Sequence, residues 1–173
     1  MEYNNKRKNI VLTGMPGSGK TSVGKRLAES LGLIYIDTDK QIEERMGVVI
    51  RTIFETKGEP CFREIEKAVI REVSSLYGCV IATGGGVILD PENMTALKEH
   101  GIIFLLDRRP ELLEASYERP LADTKEKIFS LYKERLELYL STADYVIDPD
   151  SGKDADFETI SQVYLDQETV YDM

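Results

Sequence analysis

The chain has 173 residues, 31% of them charged, with a formal net charge of −9 and a single histidine. That length suits one domain with a proper hydrophobic core, and the acidity argues against general binding to nucleic acid or to an acidic membrane. Any affinity for phosphate must therefore come from a local cluster of cations.

The start, Met1 to Asn9, is polar with no signal-peptide core, and no apolar run is long enough to span a bilayer. Asn9 to Thr13 then reads as a strand. It leads into Gly14-Met15-Pro16-Gly17-Ser18-Gly19-Lys20-Thr21, a match to the phosphate-loop pattern G-x-x-x-x-G-K-[ST] in its required strand–helix context. In such a loop, backbone N–H groups and the helix start cradle phosphates. Lys20 reaches the β- and γ-phosphates, and the Thr21 hydroxyl meets Mg²⁺. The helix from Thr21 to Leu31 has Val23, Leu27, Ala28 and Leu31 on one face, with Gly32 as its stop.

Leu33 to Ile36 is a second strand, ending at Asp37-Thr38-Asp39. A short helix through Ile42 and Met46 closes at Gly47, and another through Ile50, Ile53 and Phe54 ends near Gly58. Pro60 opens a long helix expected to reach Tyr77, with Phe62, Ile65, Val69, Val73 and Leu76 as its stripe. Cys79 to Ala82 is strand three, running into Thr83-Gly84-Gly85-Gly86. Asp90-Pro91 caps the next helix, which ends at His100-Gly101. That position makes His100 a helix-end residue rather than a base. Ile102 to Leu106 is strand four, Asp107 follows as a cap, and a helix is expected from about Pro110. Arg119-Pro120-Leu121 breaks the periodicity. A helix from about Thr124 to Leu140, a strand from Tyr145 to Ile147 and a closing helix from Asp156 to Leu165 complete the chain. Cys61 and Cys79 have no metal-like spacing and suit free thiols in a reducing cytoplasm.

Strands alternating with helices imply a mostly parallel sheet covered on both faces, with ligands beyond the carboxyl ends of the strands. Those ends carry the phosphate loop, Asp37-Thr38-Asp39, the glycine triplet and Asp107-Arg108-Arg109. Asp37 is favoured over Asp107 as the second group for a metal, and Asp39 for substrate hydroxyls; helix capping is the competing account of the pair. Glu66 falls on the apolar stripe and needs a cation, which Arg63 at i−3 can supply. Arg135 shares its face with Ile128, Leu131 and Leu138, so its guanidinium is expected to pair with a carboxylate or line an anion site. Arg119, in a polar break between helices, suits a lid that brings charge to a transferring phosphoryl group.

Together these residues resemble the shikimate kinase family up to about Asp148. The more specific matches are Asp37-x-Asp39, the run Ile53-Phe54-x-x-x-Gly58-Glu59-x-x-Phe62-Arg63-x-x-Glu66, Gly84-Gly85-Gly86, Arg119-Pro120-Leu121 and Arg135. The resemblance implies an α/β three-layer sandwich of the P-loop, nucleoside-monophosphate-kinase type, with a five-stranded parallel sheet. It implies one domain over residues 1–173, with a mobile substrate segment at about 39–66 and a lid at about 109–124. It also implies transfer of the γ-phosphate of ATP to the 3-hydroxyl of shikimate with Mg²⁺, in a cytoplasmic monomer.

By resemblance Asp39 is the base, and Lys20 and Arg119 serve the phosphates. Thr21 and Asp37 hold Mg²⁺. Arg63, Arg135 and Gly84 to Gly86 hold shikimate, walled by Phe54 and Phe62. One departure concerns the lid: family members usually carry a longer one, with a further arginine ahead of the Arg-Pro pair, where this chain has Ser116 and Tyr117. Of the competing classes, a GTPase would need N-K-x-D and D-x-x-G, and neither is present.

Overall fold

The computed structural model describes residues 7–171, so the first six residues of the polar start lie outside it. Five strands form one parallel sheet: β1 (Asn9–Thr13), β2 (Ile34–Asp37), β3 (Cys79–Ala82), β4 (Gly101–Leu106) and β5 (Tyr145–Ile147), in the spatial order β2-β3-β1-β4-β5. Register pairs Val11 with Ile81 and with Ile103. β1, β3 and β4 are buried along their whole length, which explains why they read as unbroken apolar runs. Their side chains alternate between two cores. Val11, Ile81, Ile103 and Leu105 face one; Ile10, Leu12, Val80, Phe104 and Leu106 face the other.

The first core is closed by α2 (Thr38–Met46), α3 (Ile50–Lys57), α4 (Glu59–Ser74), α5 (Pro91–His100) and α6 (Lys125–Thr142). The second is closed by α1 (Lys20–Leu31) and α7 (Lys153–Tyr171). The chain leaves β1 toward β2 on one side and leaves β3 toward β4 on the other. The reversal opens a crevice between the carboxyl ends of β1 and β3, where ligands of such sheets bind. Among the described residues no helix is long and apolar enough to cross a membrane.

Several boundaries differ from the sequence reading. α4 stops at Ser74, not Tyr77, because the Ser74 and Ser75 hydroxyls donate back to the carbonyls of Arg71 and Glu72, competing with helix continuation. Leu76 is consequently exposed rather than part of the stripe. The helix expected from Pro110 is only a 3-10 turn, Pro110–Leu112. Leu113 is its one buried neighbour while Leu112 is 63% exposed, so no apolar face repays helix nucleation there. Asp107 caps nothing; it accepts from the Tyr132 hydroxyl at 3.2 Å. Leu138 is exposed, and the buried face of α6 is instead Ile128, Arg135 and Tyr139. α7 is longer at both ends than Asp156 to Leu165. His100 ends α5 as expected, at the amino end of β4 and so at the opposite end of the sheet from the crevice, stacked on Tyr77 at 4.4 Å. Cys61 and Cys79 are free.

One buried ion pair fixes the rim between β4 and α7. Asp156 is fully buried, pairs with Arg108, and accepts from the Ser151 hydroxyl. Removing its carboxylate leaves the Arg108 guanidinium desolvated and unpaired. Asp156→Ala is therefore expected to cost about 3–5 kcal/mol in urea unfolding; a loss below about 1 kcal/mol, the range of surface pairs, would show that solvent screens the pair.

Candidate active site

The phosphate loop leaves β1 with positive φ at Gly14, Gly17 and Gly19, and α1 begins at Lys20 with no side-chain cap, so its first N–H groups stay open for an anion. The Lys20 ammonium folds back on the loop, donating to the carbonyls of Gly14 at 2.8 Å and Met15 at 2.9 Å. Burial, reinforced by Arg119 and Arg135, brings its pKa down to about 8 despite the opposing pull of Asp39 and Asp37. Thr21 opens toward the cleft one residue on.

At the end of β2, Asp37 is the N-cap of α2. Its Oδ1 accepts from the N–H of Asp39 at 3.0 Å and of Lys40 at 3.2 Å. Oδ1 thus serves as the cap while Oδ2 takes no part in it. Oδ2 lies 3.5 Å from the Tyr35 hydroxyl, and Asp37 lines the same cleft as Thr21. A hydroxyl and one carboxylate are hard oxygen donors, few in number, which fits Mg²⁺ held mainly by phosphates and water. No cluster of three acidic, histidine or cysteine ligands exists among the described residues to compete for that role.

Asp39 sits in the first turn of α2 and turns its carboxylate inward. Its Oδ1 is sealed from solvent with no hydrogen-bond partner. Burial, followed by the charges of Asp37 and Glu66, pushes its pKa up to about 6. Glu66 is 1% exposed; its Oε1 accepts from Arg63 Nη1 at 2.8 Å, while its Oε2 is buried without a partner. Desolvation raises its pKa against the lowering effect of Arg63. Arg63 also bonds Glu59, at 3.2 and 3.0 Å. Arg135 is 4% exposed and forms no ion pair with any carboxylate among the described residues.

The glycine triplet is the floor between these groups. A Cβ on Gly84 would stand 2.6 Å from Asp39 Oδ1 and 3.2 Å from Glu66 Oε2; one on Gly85 would strike the Pro16 ring at 2.8 Å, and one on Gly86 would overlap the Arg63 guanidinium. The turn is pinned by the Gly84 N–H donating to Thr38 Oγ1 at 3.1 Å and by the Tyr139 hydroxyl donating to the Gly85 carbonyl. Phe54 and Phe62 meet at 4.9 Å on the adjacent wall. Across the opening, Arg119 reaches the phosphate loop, so near that a Cβ on Gly17 would lie 3.0 Å from its Nη1.

Of the site residues expected from the sequence, all but Gly14, Met15 and Ser18 line one cleft of about 500 Å³, and Glu66 joins them. Ser18 and Met15 are buried beneath it. The sequence reading tied Glu66 to Arg63 but gave it no place among the ligand contacts, and it passed over Thr38 and Tyr139. Thr38 was legible only as the residue between two aspartates, and Tyr139 only as the neighbour one turn beyond Arg135.

A family model described as shikimate kinase matches residues 16–165. The chain belongs to the shikimate kinase family. It is 46% identical over 148 residues to the shikimate kinase of Caldanaerobacter subterraneus subsp. tengcongensis, covering 82% of this chain and 86% of that one. It is 41% identical over 166 residues to that of Thermoanaerobacter pseudethanolicus, covering 91% and 96%. Among solved structures, shikimate kinase from Acinetobacter baumannii in complex with shikimate superposes with a TM-score of 0.87 at 38% identity, covering 94% of this chain and 96% of that one.

The lowered pKa of Lys20 has a measurable consequence. At about pH 8.5 a good part of the free protein carries neutral Lys20, and a bound triphosphate restores the ammonium. Binding of ATP is therefore expected to take up roughly 0.5 to 1 proton per site at that pH, and below about 0.3 at pH 7.5, above the range in which Asp39 and the terminal phosphate titrate. Calorimetry in buffers of different ionisation heat reads this directly; equal uptake at both pH values would refute it.

Proposed function

We propose that the protein transfers the γ-phosphate of ATP to the 3-hydroxyl of shikimate, giving shikimate 3-phosphate and ADP, as a cytoplasmic monomer in the route to chorismate. The carrying observation is what the buried groups around Gly84 lack. Two sealed carboxylate oxygens, Asp39 Oδ1 and Glu66 Oε2, have no donor, and the buried Arg135 guanidinium has no carboxylate. Asp39, Glu66 and Arg135 also line the cleft, so together they suit a small ligand bearing hydroxyl donors and one anionic group, which is the chemistry of shikimate. Family membership supports the same reading.

In this account Arg63 and Arg135 hold the ring carboxylate, Phe54 and Phe62 wall the ring, and Gly84 to Gly86 admit it close to the backbone. Asp39 accepts the proton of the attacking hydroxyl as its oxygen bonds the γ-phosphorus and the bond to the β–γ bridging oxygen breaks. The loop from Gly14 to Thr21 cradles the phosphates, while Lys20 and Arg119 stabilise charge on the phosphoryl group and the departing ADP. Mg²⁺, where bound, would be held through Thr21 and Asp37 and supplies electrostatic neutralisation of the triphosphate. The segment 39–66 and the lid 109–124 are the parts that adjust to the two substrates, and neither nucleic acid nor membrane takes part.

Arg135→Lys tests the acceptor assignment, because an ammonium cannot reproduce the planar fork. Calorimetric titration should show shikimate affinity reduced at least tenfold, about 1.4 kcal/mol, with affinity for a non-hydrolysable ATP analogue within about twofold of wild type. Undiminished shikimate binding would make Arg135 structural and remove the main support for the acceptor.

A further inference from the structure

The lid has little of its own to hold Arg119 in place. Residues 109–124 contain one 3-10 turn and a few backbone bonds, such as Arg119 N–H to Ser116 O at 2.9 Å and Ala122 N–H to Arg119 O at 2.9 Å. Among the described residues the one hydrogen bond of the Arg119 side chain is a long one, 3.5 Å, to the Glu114 carbonyl. External ties must fix it. From α6, Lys125 donates to the carbonyls of Glu111 and Leu113, and Lys127 to that of Pro120, so this helix secures both ends of the lid.

The middle is held from the other side of the cleft by one residue. Arg51, on α3, donates from Nε to the Tyr117 carbonyl at 2.6 Å and from Nη2 to Asp123 Oδ2 at 2.8 Å. Its guanidinium also lies over the Tyr117 ring, 4.0 Å from the centroid. Its third nitrogen is taken by Glu55 at 3.3 Å. Both Arg51 and Asp123 side chains are only about one-fifth exposed, at 17% and 20%, so solvent screens this pair less than a surface one. Among the described residues no other hydrogen bond joins α3 to the lid. Ile50 and Phe54, on either side of Arg51 in the sequence, line the cleft, as do Glu118 to Ala122 of the lid. One helix therefore faces the acceptor pocket with two side chains and grips the lid with a third.

We propose that Arg51 is a positioning residue for the phosphoryl-transfer step: it registers the lid against α3 and so holds Arg119 over the phosphate loop. It touches neither substrate. The inference deepens the kinase reading and rests on it. A planar fork is needed, since one donor must reach a backbone carbonyl and another a carboxylate while the flat face covers a ring. Lysine can make only one of these contacts.

The experiment compares wild type with Arg51→Ala, Arg51→Lys, Asp123→Asn and the double variant Arg51→Ala/Asp123→Asn. In wild type, hydrogen exchange of backbone amides in residues 114–123 should be slower than in Arg51→Ala by at least about fivefold, with the urea midpoint of the whole protein little changed. In kinetics, Arg51→Ala should raise the KM for ATP and lower kcat about tenfold, leaving the KM for shikimate within about twofold. Arg51→Lys should rescue only part of the loss. Asp123→Asn weakens the tie from the lid side together with the 2.7 Å pair of Asp123 with Lys127, so the Arg51 tie is read from the double variant, which should lose less than the two singles multiplied. A lid that exchanges equally fast with and without Arg51, or a loss falling on shikimate alone, would overturn the proposal. Exchange reads the tie without turnover, so a wild type that failed to phosphorylate shikimate would refute the function and leave this test standing.

Discussion

The site depends on how closely three groups approach the backbone that follows β3. Asp39 comes against Gly84, the Pro16 ring against Gly85, and the Arg63 guanidinium against Gly86, each within a distance that a Cβ would occupy. A side chain at any of these positions would push away the Asp39 carboxylate, the phosphate loop or the Arg63 guanidinium. Three consecutive glycines cost conformational entropy. The structure offsets that cost by tying the turn to Thr38 on α2, to Tyr139 on α6, and to its own 3-10 continuation through Val87 N–H to Gly84 O at 3.2 Å.

Electrostatics then follow from packing. The chain as a whole is acidic, yet Lys20, Arg63, Arg119 and Arg135 gather at one cleft together with Asp37, Asp39 and Glu66. The two signs do not simply cancel. Arg63 is satisfied by Glu59 and Glu66, whereas Arg135 has no carboxylate and Asp39 Oδ1 has no donor. Burial lowers the pKa of Lys20 and raises that of Asp39, so each is held closer to its neutral form than it would be in water. The negative charge of a bound triphosphate relieves Lys20, whereas Asp39 is relieved by donors such as the hydroxyls of a ligand.

Much of this was legible in the sequence because it is local. The phosphate loop, the strand β1 from Asn9 to Thr13, the Asp90 cap and the inward placement of Glu66 and Arg135 all follow from spacing that a strand or a helix imposes. What failed was also local, but decided by competition: serine hydroxyls ended α4 early, and the stretch after Pro110 lacked an apolar face to become a helix. The strand order, the division of labour between the two oxygens of Asp37, and the roles of Thr38, Tyr139 and Arg51 depend on which elements meet in space. No periodicity encodes those meetings.

The closeness of Asp39 to the Gly84 backbone is the point on which the account turns, and Gly84→Ala probes it with one methyl group. Steady-state kinetics with ATP and shikimate should show kcat lowered at least about a hundredfold, roughly 2.7 kcal/mol of transition-state stabilisation, with the KM for ATP within about threefold of wild type. A Gly84→Ala enzyme that kept kcat within about twofold of wild type would show that the carboxylate need not stand against this turn, and would contradict the account.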